Sequence, residues 1–353
     1  MSEVPGVTAP PAPPPPPRRR RRVWPWVLVA VALVVLFVSL LANVILLSAV
    51  GTRLGESGKV REELVSGDPQ AKDKVALVAV KGVITDAAGG FFAPGTFRSS
   101  LEQLERAAQD EAVKAVLLEV DSPGGEVTAS DVLWRKVTQL KKETGKPVVV
   151  SMGSMATSGG YYVSSAADRI VAQPTTVTGS IGVLMSLLNA QGLVEKVGLQ
   201  SVVIKSAEHK DLGSPFREMT PEEQAILQGV VDHLFTRFKT LVAEGRELTA
   251  EQVTAVADGR ILTAQEALET GLIDRIGYLD EAIAEAKQLA GTPDAKVIRY
   301  RRAFGLGDIF TSQLEGWDAP RTVTVRVAGL PGPRTARFLY MWLLGGEAWG
   351  AEP

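Results

Sequence analysis

From Val23 to Thr52 the chain runs through thirty residues without a charge, and no other feature restricts its fold as much. The Leu, Val and Ala core of this run, Val27 to Leu47, is long enough to cross a bilayer as a helix, since about 20 residues at 1.5 Å each span a hydrocarbon layer near 30 Å thick. Trp24 and Trp26 fall where an interfacial aromatic belt belongs, and Arg18 to Arg22 flank only the N-terminal side. The positive-inside rule puts that side in the cytoplasm and the rest of the chain beyond the membrane. A cleaved signal peptide has a shorter apolar core, about 7–15 residues, ending in a small-x-small site. Leu46-Leu47-Ser48-Ala49 is a weak version of that site, so the expectation is an uncleaved anchor in contact with lipid.

Pro10 to Pro17 are prolines but for one alanine, and such a stretch makes no backbone ladders and has nothing to bury. The expected organisation is an extended cytoplasmic tail over 1–22, a transmembrane helix over 23–50, a polar stalk over 51–73, a globular domain over 74–300 and a C-terminal tail over 301–353. Residues beyond about Leu289 follow no period, and the tail offers Trp342 and Trp349 without a pattern.

The 353 residues include no cysteine and two histidines, His209 and His233. Disulfide scaffolds, thiol nucleophiles and Cys-based metal sites are excluded, and little is left for a multi-His centre. Past residue 22 the chain holds 33 basic and 39 acidic residues, a sign unsuited to nucleic acid, whose phosphates need a basic face.

In the globular part, Val75–Val80, Val113–Val120 and Val148–Ser151 are short, valine-rich and poor in charge, as buried strands are. Between them, Phe97–Ala108 and Val127–Leu140 repeat apolar residues at helical spacing. Strands alternating with helices predict an α/β fold with parallel strands and crossover helices. Thr220-Pro221-Glu222-Glu223 and Thr263-Ala264-Gln265-Glu266 are helix-start signatures. The first predicts a long helix burying Ile226, Val230, Leu234, Phe238 and Leu241; Gly271 reads as the stop of the second.

Two glycine-bearing turns follow predicted strands. Asp121-Ser122-Pro123-Gly124-Gly125 can turn backbone N–H groups outward into an anion-binding nest, because glycine accepts positive φ. Met155-Ala156-Thr157-Ser158-Gly159-Gly160-Tyr161-Tyr162 carries a serine at a strand-to-helix junction, where its hydroxyl is presented at the carboxyl edge of the sheet beside the positive end of a helix. Ser158 is therefore either a nucleophile or a helix N-cap. Its base would be His209, His233, or a lysine kept neutral by burial or a nearby cation. His233 lies within the long helix, whereas His209 shares a loop with Lys205 and Lys210, and spacing alone leaves both lysines open.

These two turns, together with Thr178-Gly179-Ser180-Ile181-Gly182 and Lys205-Ser206-Ala207-Glu208-His209-Lys210-Asp211, resemble the signal peptide peptidase A family over roughly residues 74 to 289. Its members are membrane-anchored Ser–Lys peptidases of bacteria in the Clp-protease/crotonase-like superfamily. The resemblance implies repeated ββα units, Ser158 as nucleophile, Lys210 as general base, backbone N–H groups of Gly124 or Gly125 and of Gly159 as the oxyanion hole, and Ser180 supporting the lysine. The 52-residue interval from Ser158 to Lys210 fits the short, single-copy form of the family. By the same resemblance the substrates are cleaved signal peptides and other extended apolar peptides, no metal or cofactor takes part, and eight subunits form a ring in which serine and lysine come from neighbouring copies. Three alternatives stand beside it: a related peptidase acting on membrane-associated proteins, a cytoplasmic crotonase-like acyl-CoA enzyme with acidic catalytic residues, and a non-catalytic membrane scaffold, which would need the loss of a dyad residue that this sequence retains.

Overall fold

The computed structural model of the chain describes residues 24–54, 60–86, 96–302 and 338–341. Contacts divide the chain into two compact units, Met1–Ser57 and Gly58–Pro353. The first holds helix α1, Trp24–Leu54, within which Trp26–Asn43 is long and apolar enough to cross a membrane and is fully unburied. Its polar Asn43 is satisfied internally, Nδ2 donating to the Ser39 carbonyl at 2.7 Å. The helix continues four residues past the expected boundary at 50, into the segment expected as stalk. The proline–arginine tail lies outside the described residues.

The second unit runs β1 (Val60–Ser66), β2 (Lys74–Lys81), α2 (Thr96–Gln109), β3 (Val113–Ser122), β4 (Gly124–Glu126), α3 (Val127–Thr144), β5 (Val148–Thr157), α4 (Gly159–Ser164), β6 (Arg169–Ala172), β7 (Val177–Gly179), β8 (Leu184–Met185) and α5 (Gln191–Lys196). A 3-10 turn, Glu208–Asp211, precedes α6 (Pro221–Arg246), α7 (Ala250–Val256), β9 (Ile261–Thr263), α8 (Ala264–Glu269), β10 (Arg275–Ile276), α9 (Leu279–Leu289), β11 (Lys296–Arg302) and β12 (Phe338–Met341).

The described strands form a main sheet in the order β1-β11-β2-β3-β5-β6-β10, with β7 joined to β5 and β9 to β7. Its central pairs, from β11 through β2, β3 and β5 to β6, are parallel, as the alternation of strands and helices predicts. Both faces are buried, which is why these strands read as continuous apolar runs. Ala76, Val78, Val116, Leu118, Val150 and Met152 face a core shared with α2, α3 and α4. Val75, Leu77, Leu117 and Val149 face a smaller one closed by Ala282 and Ala286 of α9. The fold is the mixed, mostly parallel α/β architecture of the Clp/crotonase-like class.

Two expectations need correction. Residues 60–66 of the expected stalk form β1, antiparallel to β11. Almost wholly exposed, β1 has no buried face to imprint an alternation; the ladder to β11 holds it, with ion pairs from Lys74 to Glu62 at 2.7 Å and from Arg301 to Glu63 at 2.6 Å beside it. The stripe expected on α6 is buried only in its second half. Phe238 and Leu241 are in the core, but Ile226 and Val230 are 40 % and 38 % exposed.

Candidate active site

The site starts from a bend in β5. Val149–Met152 pairs with β6, then Met155–Thr157 pairs with β7, and the register against β3 slips between Val120 and Ser122. Asp121 fills the irregularity, its Oδ1 accepting the Met155 N–H at 3.1 Å. Such a bulge re-aims the end of a strand. Here it directs the chain into Ser158, which sits between β5 and α4 at φ 52°, ψ −113°.

A serine at positive φ is strained by roughly 1–3 kcal/mol, so the surroundings must over-determine it. The Ser158 N–H donates to the Gly179 carbonyl and its own carbonyl accepts the Tyr162 N–H, both at 2.8 Å. Tyr161 and Tyr162, fully buried, bolt the short helix down: their hydroxyls donate to the Leu272 carbonyl at 2.8 Å and to Asp131 Oδ1 at 2.6 Å. Burial also pushes the Tyr161 phenol well above its ordinary range. Ser158 is 1 % exposed, and its hydroxyl does not cap α4. The N-cap alternative therefore does not describe this side chain.

The two glycine turns meet at the serine. A Cβ on Gly159 would lie 3.1 Å from both Gly124 Cα and Gly125 N, and 2.6 Å from Ser130 Oγ. One on Gly125 would lie 2.0 Å from the Ile84 carbonyl oxygen. Both contacts demand glycine. The Gly124 N–H is already used, donating to Ser122 Oγ at 3.0 Å. The hydroxyls of Ser130 and Thr157 are buried beside the elbow without a partner among the described residues. Ser180 follows Gly179 directly, has φ 50°, and is 6 % exposed.

Lys210 stands on the 3-10 turn, exposed, and among the described residues no hydrogen bond joins it to Ser158 or Ser180. Lys205, by contrast, is committed: its ammonium donates to the Glu208 carbonyl and to Asp211 Oδ1, both at 2.7 Å. His209 is exposed and lies 3.6 Å from Glu222; His233 is exposed on α6. The structure thus gathers Ser158, Gly124, Gly125, Gly159 and Ser180, and leaves Lys210 on a surface arm.

Like β1, another element at the site was missed by sequence reasoning. β12, from the tail that offered no pattern, pairs antiparallel with β4, Leu339 opposite Glu126, Tyr340 opposite Gly125 and Met341 opposite Gly124, and on its other edge with β8. An extended strand thus runs along the glycine turn toward Gly124.

The mostly parallel sheet with a serine elbow at its carboxyl edge fits a Clp/crotonase-like fold, and fold alone leaves the reaction open. The sequence profile of peptidase family S49 matches residues 140–292. A protein of Methanocaldococcus jannaschii, provisionally named a protease, is 41 % identical over 200 residues, 57 % of this chain and 63 % of its own length. A protein of Enterococcus faecium, provisionally named signal peptide peptidase SppA, is 36 % identical over 248 residues, 69 % of this chain and 72 % of its own. The chloroplast serine protease SPPA of Arabidopsis thaliana is 36 % identical over 226 residues, which cover 63 % of this chain but 33 % of that one. The chain belongs to peptidase family S49.

Proposed function

We propose that the chain is a membrane-anchored serine endopeptidase in which Ser158 attacks the scissile carbonyl and Lys210 is the base, acting on cleaved signal peptides and other extended apolar segments. The observation that carries this reading is the strained, uncapped Ser158 hydroxyl beside two glycine turns, with an extended strand lying on one of them. β12 stands in for substrate: a peptide added antiparallel to β4 is recognised through its backbone, which suits substrates of varied sequence. Because β12 runs toward Gly124, a peptide in its place brings its C-terminal end to the serine.

Lys210 takes the hydroxyl proton during attack and returns it to the leaving amine, and water then releases the acyl group. The N–H groups of Gly125 and Gly159 stabilise the oxyanion; Gly125 is favoured over Gly124 because the latter's N–H is engaged by Ser122. Each such donor is worth roughly 10²–10³ in rate. Ser180 steadies the amine. Lys210 is favoured over Lys205 because the latter's side chain is tied up by Asp211 and the Glu208 carbonyl.

The arm that carries Lys210 supports an assembly. Leu199, Val202 and Ile204 are 63 %, 83 % and 98 % exposed, apolar area that a soluble surface rarely leaves open. A second copy covering it would desolvate the lysine and bring it to a neighbour's serine, in a ring of such copies. The arginines before α1 put the catalytic unit outside the cytoplasm.

The test is fluorophosphonate labelling of the full chain in detergent. Ser158 is the expected adduct, absent in Ser158→Ala, and turnover of an apolar peptide is lost in both Ser158→Ala and Lys210→Ala. An unlabelled wild type, or an active Lys210→Ala, would end the proposal. Protease accessibility on intact cells tests the topology, with the catalytic unit expected to be cut.

A further inference from the structure

Beside Lys210 lies an ion cluster that the proposed chemistry does not use. Arg217 Nε donates to Asp211 Oδ2 and Nη2 to Asp211 Oδ1, both at 3.0 Å. Its Nη1 donates to Glu223 Oε2 at 2.8 Å, and Nη2 donates to Glu223 Oε1 as well. Glu223 in turn closes the capping box of α6 with Thr220. One guanidinium fork therefore ties the turn bearing Lys210 to the N-terminus of a 26-residue helix, in the bidentate geometry that arginine supplies and lysine does not.

We propose that Arg217 is a positioning residue for Lys210, fixing its turn against α6 and keeping the Asp211 carboxylate off the neighbouring amine. This rests on Lys210 being the base. The charged and titratable groups on that turn and on the segments joined to it are Glu208, His209 and Asp211 on the turn itself, Lys205 before it, Arg217 after it, and Glu222 and Glu223 on α6. Asp211 is the carboxylate immediately next in sequence, and Arg217 and Lys205 satisfy it between them, holding its carboxyl well below the usual range. Released from Arg217, Asp211 still accepts from Lys205 at Oδ1 but has Oδ2 free to pair with the Lys210 ammonium, and an amine paired in its protonated form holds its proton to higher pH, so less of it is free base at a given pH.

The experiment is the pH–rate profile of the full chain in detergent with a short apolar peptide. In Arg217→Ala the acidic limb of kcat/KM moves up by about one pH unit, a loss of about tenfold below the limb that fades at high pH. Adding Asp211→Asn to that variant returns the limb toward the wild-type position. In Arg217→Lys the charge is kept, so the limb stays while kcat falls. Asp211→Asn alone leaves the limb where it is, because Arg217 already holds that carboxylate off the amine; should Arg217→Ala not fold, Arg217→Gln is read in its place, with the same rise expected. A uniform loss across pH in the Arg217 variant, or a raised limb that adding Asp211→Asn does not bring back, overturns the proposal. Lys210→Ala is assayed alongside: if it retains turnover the dyad itself is wrong, whereas an inactive Lys210→Ala with an unmoved limb in the Arg217 variant sinks only the positioning role.

Discussion

Ser158 pays for its position in backbone strain, and that strain can be separated from its chemistry. At φ 52°, ψ −113° an alanine is strained as the serine is, whereas glycine is not, although glycine gives back roughly 0.5–1 kcal/mol through the freedom of the unfolded chain. Both Ser158→Ala and Ser158→Gly should be inactive, but the glycine variant should unfold at a higher temperature than the alanine variant, by a few degrees for about 1 kcal/mol. Equal melting points would mean that the elbow is not a reservoir of strain. The serine and its glycines were legible in the sequence because strand-to-helix junctions have local signals. Asp121, Ser122 and Arg217 were not, since their roles depend on partners that meet only after folding. Asp211, Arg217 and Glu223 are spaced six residues apart, a period of neither helix nor strand, and nothing local marks them as one cluster.

At the scale of elements, β12 and the start of α6 make the strongest claims. A strand of the same chain lying on β4 competes with any peptide that needs that edge, and tethering gives it an effective concentration of about millimolar. Ending the chain after Arg302 should therefore lower KM for an extended peptide with kcat little changed, measured by steady-state hydrolysis; an unchanged KM would mean that β12 does not compete with substrate. The α6 terminus carries a pH signature of its own. Arg217 first, and the Thr220 backbone N–H second, hold the Glu223 carboxyl down to about 2 from 4.5. A depressed carboxyl stabilises the fold above its unfolded value and loses that contribution as pH falls through the folded one. Glu223→Gln should thus be less stable than wild type near neutrality, with the gap in urea midpoint closing as pH drops from about 4.5 toward 2. Capped helices such as α6 and α8 and the valine strands declared themselves in sequence. β1 and β12 did not: an exposed strand imprints no alternation and four residues are too few to show a period, and α6 misled because its apolar spacing runs on through Ile226 and Val230, which this unit leaves partly exposed.

For the whole molecule, that unpacked apolar spacing and the arm bearing Lys210 pose one question: if Lys210 is the base, whose serine does it serve? Ile226 and Val230 on α6, like Val202 and Ile204 on the arm, are apolar and uncovered, and burying such area against another copy of the chain contributes roughly 25 cal/mol per Å². If the covering copy also presents its serine to this lysine, each site is built from two chains, and two inactive variants can repair one another. Ser158→Ala supplies a good lysine and Lys210→Ala a good serine. In randomly mixed assemblies about a quarter of the sites pair a good serine with a good lysine across a closed symmetric interface. Dissociating and reassembling the two full-length variants together should restore up to that share of wild-type turnover, and Ile204→Asp in both partners should abolish the rescue by keeping copies apart. A dyad contained within one copy gives no rescue at any mixing ratio, because every chain in the mixture lacks one of the two groups, and that result would return Lys210 to the serine of its own chain.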